Sequence, residues 1–310
     1  MKKISIVTIS YNEAGNIREF YDQVVAVFKK LEGCYSYEII IADNASTDGT
    51  QAILREIAAQ DENFKVIFNS RNFGPNRSGN NALMKASGDA VVPLVSDLQE
   101  PPALIPEFIE KWEQGYKVVM AIKNHSEESP ILYALRSLYY KVLGRLSEVK
   151  LVTHFNGFGL YDRQVIEIYQ KLNDPYPYFR GLISDIGFEA AIVNYVQPAR
   201  RSGKSKSKFM YLYEEAMLGL TSYTKLPLRL ATFVGFVAAF ISFIIGMFYL
   251  VYKLLFWSSF TLGSAPVTIG LFFFASVQLV FLGLLGEYIL LIYTHVLKRP
   301  LVYEKELLNF

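Results

Sequence analysis

The sequence predicts an α/β domain, a mostly parallel sheet with helices on both faces, followed by an interfacial helix and a two-helix transmembrane hairpin. Two observations carry this. Short β-rich runs alternate with helical spacings through the first two hundred or so residues, the pattern of a parallel sheet covered by helices. Further on, residues 230–252 and 254–286 carry no formal charge, and a helix needs about 20 apolar residues to cross the hydrocarbon. The rest of the composition narrows the class. With 52% hydrophobic and 15% aromatic residues the 310-residue chain can build a core. Its net charge of +2 gives no field pointing to nucleic acid. A single cysteine, Cys34, excludes an internal disulfide framework. The start, Met1-Lys2-Lys3 and a short apolar run that turns polar after Ile9, does not read as a secretory signal, so the N-terminal part is expected in the cytoplasm.

The elements follow in order. Ile4–Ser10 is a strand and Ile17–Leu31 has helical spacing. Glu38–Ala42 is a second strand, and a helix over Thr50–Gln60 opens after Asp48-Gly49. Lys65–Phe68 is a third strand, Gly79–Ala86 suits a helix, and Ala90–Val95 is a fourth strand. Leu104–Gln114 is helical and Lys117–Ile122 strand-like. The domain is taken as 1–207. A juxtamembrane amphipathic segment follows at 208–228, either lying in the interface or forming a surface helix. The hairpin, 229–293, has spans near 230–252 and 268–292, broken at Gly263-Ser264-Ala265-Pro266, and a tail runs over 294–310. The alternative to two spans is a pair of buried core helices. Lys225, Arg229, Lys298 and Arg299 flank the hairpin ends, so the positive-inside rule puts both termini in the cytoplasm. Glu287 is either a functional intramembrane carboxylate or a helix-end group near the headgroups.

In an open parallel sheet, ligands bind beyond the carboxyl ends of the strands. That selects Tyr11-Asn12-Glu13, Asp43-Asn44 and Ser96-Asp97-Leu98-Gln99. Tyr11 could stack on a base, and Glu13 could hold a ribose or base donor. Asp43 could accept hydrogen bonds from a base or ribose. Thr47 and Asp48 read better as a helix cap. Asp97 and Gln99 offer hard oxygen ligands suited to Mg2+ or Mn2+ against phosphates. Singly, each acid after a strand is commonly a turn residue; three at successive strand ends are more telling.

The runs S-Y-N-E, A-D-N-A-S-T-D-G-T, R-N-F-G and S-D-L-Q-E-P-P, in this order, resemble glycosyltransferase family 2 with a GT-A fold. R-R-S-G-K-S-K before two apolar spans, L-G-E-Y and a closing K-R-P narrow the resemblance to the polyprenyl-phosphate glycosyltransferases, the group of dolichyl-phosphate mannose synthase and bactoprenol glucosyltransferase. The resemblance covers nearly the whole chain. It implies nucleotide binding by Tyr11, Asn12, Glu13, Asp43, Asn44 and Asp97, and metal binding by Asp97 and Gln99. It implies a phosphate grip by Arg200, Ser205 and Lys206, with Gly203 letting that loop close. The basic cluster Arg200, Arg201, Lys204, Lys206 and Lys208 also fits simple attraction to anionic headgroups. Arg136, on a stretch with Lys141 and Arg145, either reaches the lipid phosphate or solubilises that face.

Two departures stand out. The metal motif usually reads D-A-D-L-Q, and Val95 replaces its first Asp, with Glu100 as a substitute that points the wrong way if the strand simply continues. Related enzymes often carry G-D-F-R-L before a D-R pair, whereas here Gly157 and Gly159 take the acidic and basic positions. His154 and Asn156 lie nearby as liners of the sugar pocket. Tyr178-Phe179-Arg180-Gly181-Leu182 and Asp185 match a family stretch near the sugar and acceptor, and Asp185 joins Asp97 as the candidate catalytic carboxylates.

The implied activity is membrane-bound, inverting transfer of a sugar from a nucleotide-sugar, by resemblance a UDP-sugar, to polyprenyl (undecaprenyl) phosphate at the cytoplasmic face of the inner membrane. The partners are then the donor, the lipid acceptor and the bilayer; the hairpin also leaves open a homo-oligomer, whose subunits the sequence does not count. A phosphate monoester has a second pKa of about 6, so a strong general base is less needed than for a hydroxyl acceptor. No Glu/Asp pair for hydrolysis is evident, which disfavours a glycosidase. The alternatives are transfer to a lipid-diphosphate glycan, a glycerolipid or a wall polymer, and a non-catalytic sugar-nucleotide-binding membrane protein.

Overall fold

A computed structural model describes residues 1–123, 152, 155–172, 174, 177–198, 217–219, 221, 222, 224, 226–256, 264–297 and 299–310. Eight strands form one sheet: β1 (Lys2–Ser10), β2 (Tyr35–Asp43), β3 (Phe64–Asn69), β4 (Ala90–Pro93), β5 (Val118–Lys123), β6 (Phe155–Asp162), β7 (Ala190–Tyr195) and β8 (Glu304–Leu308). Their spatial order is β7-β5-β6-β4-β1-β2-β3-β8. The block β3-β2-β1-β4 is parallel, as the alternating pattern requires. β6 pairs antiparallel with β4 and β5, and β8 antiparallel with β3, so the whole sheet is mixed.

The central strands are buried on both faces, and their alternation divides the core. Ile4, Ile6, Ile39, Ile41, Val66 and Val92 face one apolar cluster; Val7, Ile40, Ile67 and Val91 face the other. The first is covered by α1 (Ile17–Lys30), α2 (Thr50–Gln60) and α4 (Ile105–Glu113), whose inward residues recur at helical spacing: Ile17, Phe20, Val24 and Phe28 on α1, Ile105, Phe108, Ile109 and Trp112 on α4. The second is covered by α3 (Pro75–Met84), α5 (Arg163–Leu172) and α6 (Phe179–Ile186).

Several boundaries differ from the sequence pattern: β2 begins at Tyr35, and the second apolar helix begins at Ser264, inside the expected break; three others have the following reasons. α3 begins at Pro75, earlier than the apolar spacing shows, because Gly74 at φ 83° turns the chain and proline suits the first helical position. β4 ends at Pro93, which has no N–H for the ladder. The 294–310 stretch, read as a tail, contains β8 and so joins the sheet.

The apolar helices are α7 (Leu226–Leu255) and α8 (Ser264–Leu297), of 30 and 34 residues. At about 1.5 Å per residue both exceed a hydrocarbon core roughly 30 Å thick. Leu228–Ile245 and Phe273–Leu297 are long and apolar enough to cross a membrane, which makes both helices candidate transmembrane helices. A pair of buried core helices would hide its side chains, but Phe236 is 72% exposed and Val280 71%. The end of α8 returns to the domain, where His295 Nε2 lies 3.3 Å from the Asp174 carboxylate. Only scattered residues of the 208–225 segment are described; among them Leu218 and Thr224 are buried, and Tyr288 of α8 donates to the Thr224 carbonyl at 2.9 Å. Glu287 is half-buried on α8.

Candidate active site

The loops after β1, β2 and β4 lie side by side because their strands are neighbours in register, Ser10 beside Asp43 and Val7 beside Pro93. Each loop holds one non-glycine residue in the left-handed region: Asn12 at φ 56°, Ala45 at 59° and Leu98 at 60°. Such conformations cost energy and gather where a loop must present groups in one fixed shape.

Asp43 is fully buried at the end of β2. Its carboxylate accepts from Ser10 Oγ (3.1 Å), the Ser46 N–H (3.0 Å) and hydroxyl, and Gln51 Nε2 (2.8 Å). Asn44 is also buried, and its Oδ1 accepts from Asn69 Nδ2 (3.1 Å), the Phe73 N–H (3.3 Å) and the Ser78 hydroxyl. These two residues therefore fix the shape of the strand-end loops from within. The Asn12 N–H donates to Ser46 Oγ at 2.9 Å, and Asn12 Oδ1 accepts from the Thr47 N–H at 2.8 Å, fastening the first loop to the second. The Glu13 N–H donates to Thr50 Oγ1 at 3.0 Å, while its carboxylate takes Asn16 Nδ2. Tyr11 is 37% exposed where the first loop leaves β1. The N-cap of α2 is Gly49, and Asp48 just before it accepts the Thr50 N–H at 3.1 Å; its carboxyl lies below the usual range because hydrogen bonds from Thr50 and Ala14 outweigh the effect of burial.

Beyond β4 the chain turns at Leu98 instead of continuing. Asp97 is 7% exposed, and its Oδ1 accepts the Gln99 N–H at 3.1 Å. Glu100 swings back beneath the loop, where Oε2 accepts the Val95 N–H at 2.9 Å and Oε1 accepts Asn156 Nδ2 at 2.7 Å. Burial pushes the Glu100 carboxyl up to about 8; the Asp97 charge adds to this, and the bonds from Val95 and Asn156 oppose it. Glu100 is thus an internal tie rather than a replacement for the acid absent at Val95. Nothing in the apolar pattern reveals it; the only signal is Pro101-Pro102, which ends any strand directly after it.

The second departure is written into the backbone of β6. Gly157 sits at φ 102°, and a Cβ there would meet the Phe179 ring at 3.5 Å. At Gly159 a Cβ would stand 2.0 Å from the Val119 carbonyl oxygen, so no side chain fits against β5. Asp185 stands on the exposed face of α6, opposite the core-facing Leu182 and Ile183, and among the described residues no hydrogen bond joins it to the strand-end cluster. Arg136, His154, Arg200, Ser205 and Lys206 lie outside the described residues.

No group of three His, Cys, Asp or Glu forms a metal cage among the described residues. The donor set of Asp97 and Gln99 still fits Mg2+ or Mn2+, which are commonly held by one or two carboxylates with substrate phosphates and water completing the shell.

The Glycosyl transferase family 2 model matches residues 5–184. A bactoprenol glucosyl transferase derived from the SfII prophage of Shigella flexneri is 33% identical over 299 residues, 96% of each chain. The prophage bactoprenol glucosyl transferase homolog of Escherichia coli K12 is 31% identical, covering 96% of this chain and 97% of its own. The Bacillus subtilis glycosyltransferase YkcC is 33% identical, covering 96% of this chain and 91% of its own. A crystal structure of glucosyl-3-phosphoglycerate synthase from Mycobacterium tuberculosis with Mn2+, UDP-glucose and phosphoglyceric acid aligns with 71% of this chain and 78% of that one, at 22% identity and a TM-score of 0.46.

Proposed function

Because the chain belongs to glycosyl transferase family 2, we propose that it moves a sugar from a nucleotide-sugar, a UDP-sugar on the resemblance, to polyprenyl phosphate at the cytoplasmic face of the inner membrane. One observation carries the reading: the sheet whose strand ends hold Asp43 and Asp97 also takes β8, the strand that follows two helices long and apolar enough to span a bilayer. A soluble donor and an acceptor anchored in lipid can meet only where such a pocket is held at the membrane surface. β8 beside β3 also supports an even number of crossings, with both chain ends on one side. The names of the bactoprenol glucosyl transferase relatives favour this acceptor.

In this reading Tyr11 stacks on the base, and the Asp43 and Asn44 loops fix the nucleotide wall. An acceptor phosphate oxygen attacks the anomeric carbon, forming one C–O bond as the bond to the nucleoside diphosphate breaks on the opposite face, with inversion. The phosphate monoester is largely ionised at neutral pH, its second pKa being about 6, so no protein base has to remove a proton. Asp97 and Gln99 would hold a divalent metal, which supplies charge stabilisation to the leaving diphosphate. Arg136, Arg200, Ser205 and Lys206 would grip the acceptor phosphate, and Asp185 would line the acceptor side.

The test is direct. Purified protein in detergent receives undecaprenyl phosphate, Mg2+ or Mn2+ and a panel of radiolabelled nucleotide-sugars, and label is followed into the organic phase. Label from one donor, lost with EDTA, is the expected result. Label that reaches only a lipid-diphosphate glycan or a glycerolipid overturns the acceptor assignment.

A further inference from the structure

Residues after the last apolar helix lie along the domain next to the nucleotide wall. The Pro300 and Leu301 carbonyls accept from Arg77, from Nη2 at 2.9 Å and Nε at 2.6 Å. The Tyr303 carbonyl accepts the Ser70 N–H at 2.9 Å, and its ring centroid lies 6.0 Å from that of Phe73. Glu304 meets Asn81 at 2.7 Å and Lys85 at 3.2 Å. Farther along, Glu306 pairs with both terminal nitrogens of Arg55, and Asn309 Nδ2 donates to the Ala58, Asp61 and Phe64 carbonyls.

The contacted segment, Ser70 to Ser78, is the one Asn44 organises through the Phe73 N–H and Ser78. The Arg71 and Arg77 guanidinium groups both lie near the Phe73 ring, 4.0 and 5.2 Å from its centroid. A set of contacts therefore runs from residues 300–303, which follow α8 in the chain, to Arg77 and Phe73, then to Asn44 and its neighbour Asp43.

We propose that residues 299–310 are a positioning strap. Through Arg77 and Tyr303 they hold Ser70–Ser78 in the shape that nucleotide binding needs, so the membrane helix and the donor pocket are mechanically joined. Arg77 acts here as a positioning residue, through loop shape rather than contact with the reacting atoms. The proposal rests on reading the Asp43–Asn44 wall as the nucleotide pocket.

The experiment uses the full-length protein in detergent, with UDP, GDP and dTDP as calorimetric probes. Arg77→Gln and Tyr303→Leu are compared with Arg55→Gln, which removes the ion pair at the far end of the strap. Arg77→Gln is expected to weaken the bound nucleotide roughly tenfold, the scale of one or two lost charge-assisted hydrogen bonds. The matching rise appears in KM for the donor, with kcat at saturating donor kept within about twofold. Arg77→Lys restores part of the affinity, since it keeps the charge but not the fork. Arg55→Gln lowers the melting temperature alone. If Arg77→Gln and Tyr303→Leu shift only the melting temperature, as Arg55→Gln does, while the wild type binds nucleotide, the strap is overturned and the pocket stands. A wild type that binds none of the three probes overturns the pocket and the strap with it.

Discussion

The two halves of the strand-end cluster are built in opposite ways. On the β1–β2–β3 side, Asp43 is tied to Ser10, Ser46 and Gln51, and Asn44 to Asn69 and the Phe73 N–H, so neighbouring elements are fastened to one another. On the β4–β6 side, an acid is absent at Val95, glycines stand at 157 and 159, and the polar group that remains, Glu100, is turned into the interior. In the proposed function the first half would be a rigid receptor for the nucleotide. The second keeps its remaining oxygen ligands in Asp97, which is buried, and Gln99, which is half-buried.

The comparison is broken most severely at Asp97. If the second half depends on one carboxylate, Asp97→Ala lowers the transfer rate at least a hundredfold, the scale of removing a group that stabilises transition-state charge. Nucleotide affinity measured with EDTA present should stay close to wild type, because the first half is intact. A mutant rate within tenfold of wild type sinks the assignment.

The next effect is structural. Gly159→Ala places a methyl 2.0 Å from the Val119 carbonyl oxygen, in backbone that cannot yield without parting β5 from β6. A cost of about 3 kcal/mol or more is expected, read as a melting temperature lowered by many degrees or as loss of folded protein. A variant as stable as wild type means that β6 pairs less closely than described.

A third prediction concerns the sheet's opposite end, far from the strand-end cluster. Glu38 is buried near the start of β2; burial alone would raise its pKa, but bonds from Lys65, Ser5, the Ser87 N–H and Lys3 bring it down to about 2. A carboxyl lowered in the folded state stabilises above its unfolded value near 4.5, and that contribution fades as pH falls through about 2. The span corresponds to roughly 3 kcal/mol. Melting temperature should therefore fall across that acid window, and Glu38→Gln should be less stable at neutral pH with a shallower acid decline. A Gln variant that follows the wild-type acid curve removes Glu38 as its cause.

These contrasts also explain what the sequence makes legible. α1, α2, α4 and the parallel strands follow from spacing because each buries a regular face, and Asp43 and Asp97 follow from the rule that ligands meet strand ends. β8 is not legible: Glu-Lys-Glu-Leu-Leu has no apolar alternation, and its partner β3 lies far away in sequence. Glu100 is hidden for a related reason, since its inward turn depends on Leu98 at φ 60°, a conformation that leucine rarely adopts and does not announce. Arg77 reads as an ordinary basic residue early in a helix until the returning carbonyls of Pro300 and Leu301 are placed beside it.

The smallest effect sharpens the comparison most. Val95 is 36% exposed, and the loop's shape relies on its N–H, which Glu100 holds, rather than on its side chain. Val95→Asp should therefore fold, and it adds a second carboxylate ligand beside Asp97, at some cost from like charge. If the second half is limited by charge, the metal concentration that half-activates transfer falls several-fold, while the rate at saturating metal and donor moves less. If that concentration does not change, the metal is held adequately by Asp97, Gln99 and the diphosphate. Val95 would then serve as an apolar wall for the sugar, and the two halves would differ in the shape they impose rather than in the charge they carry.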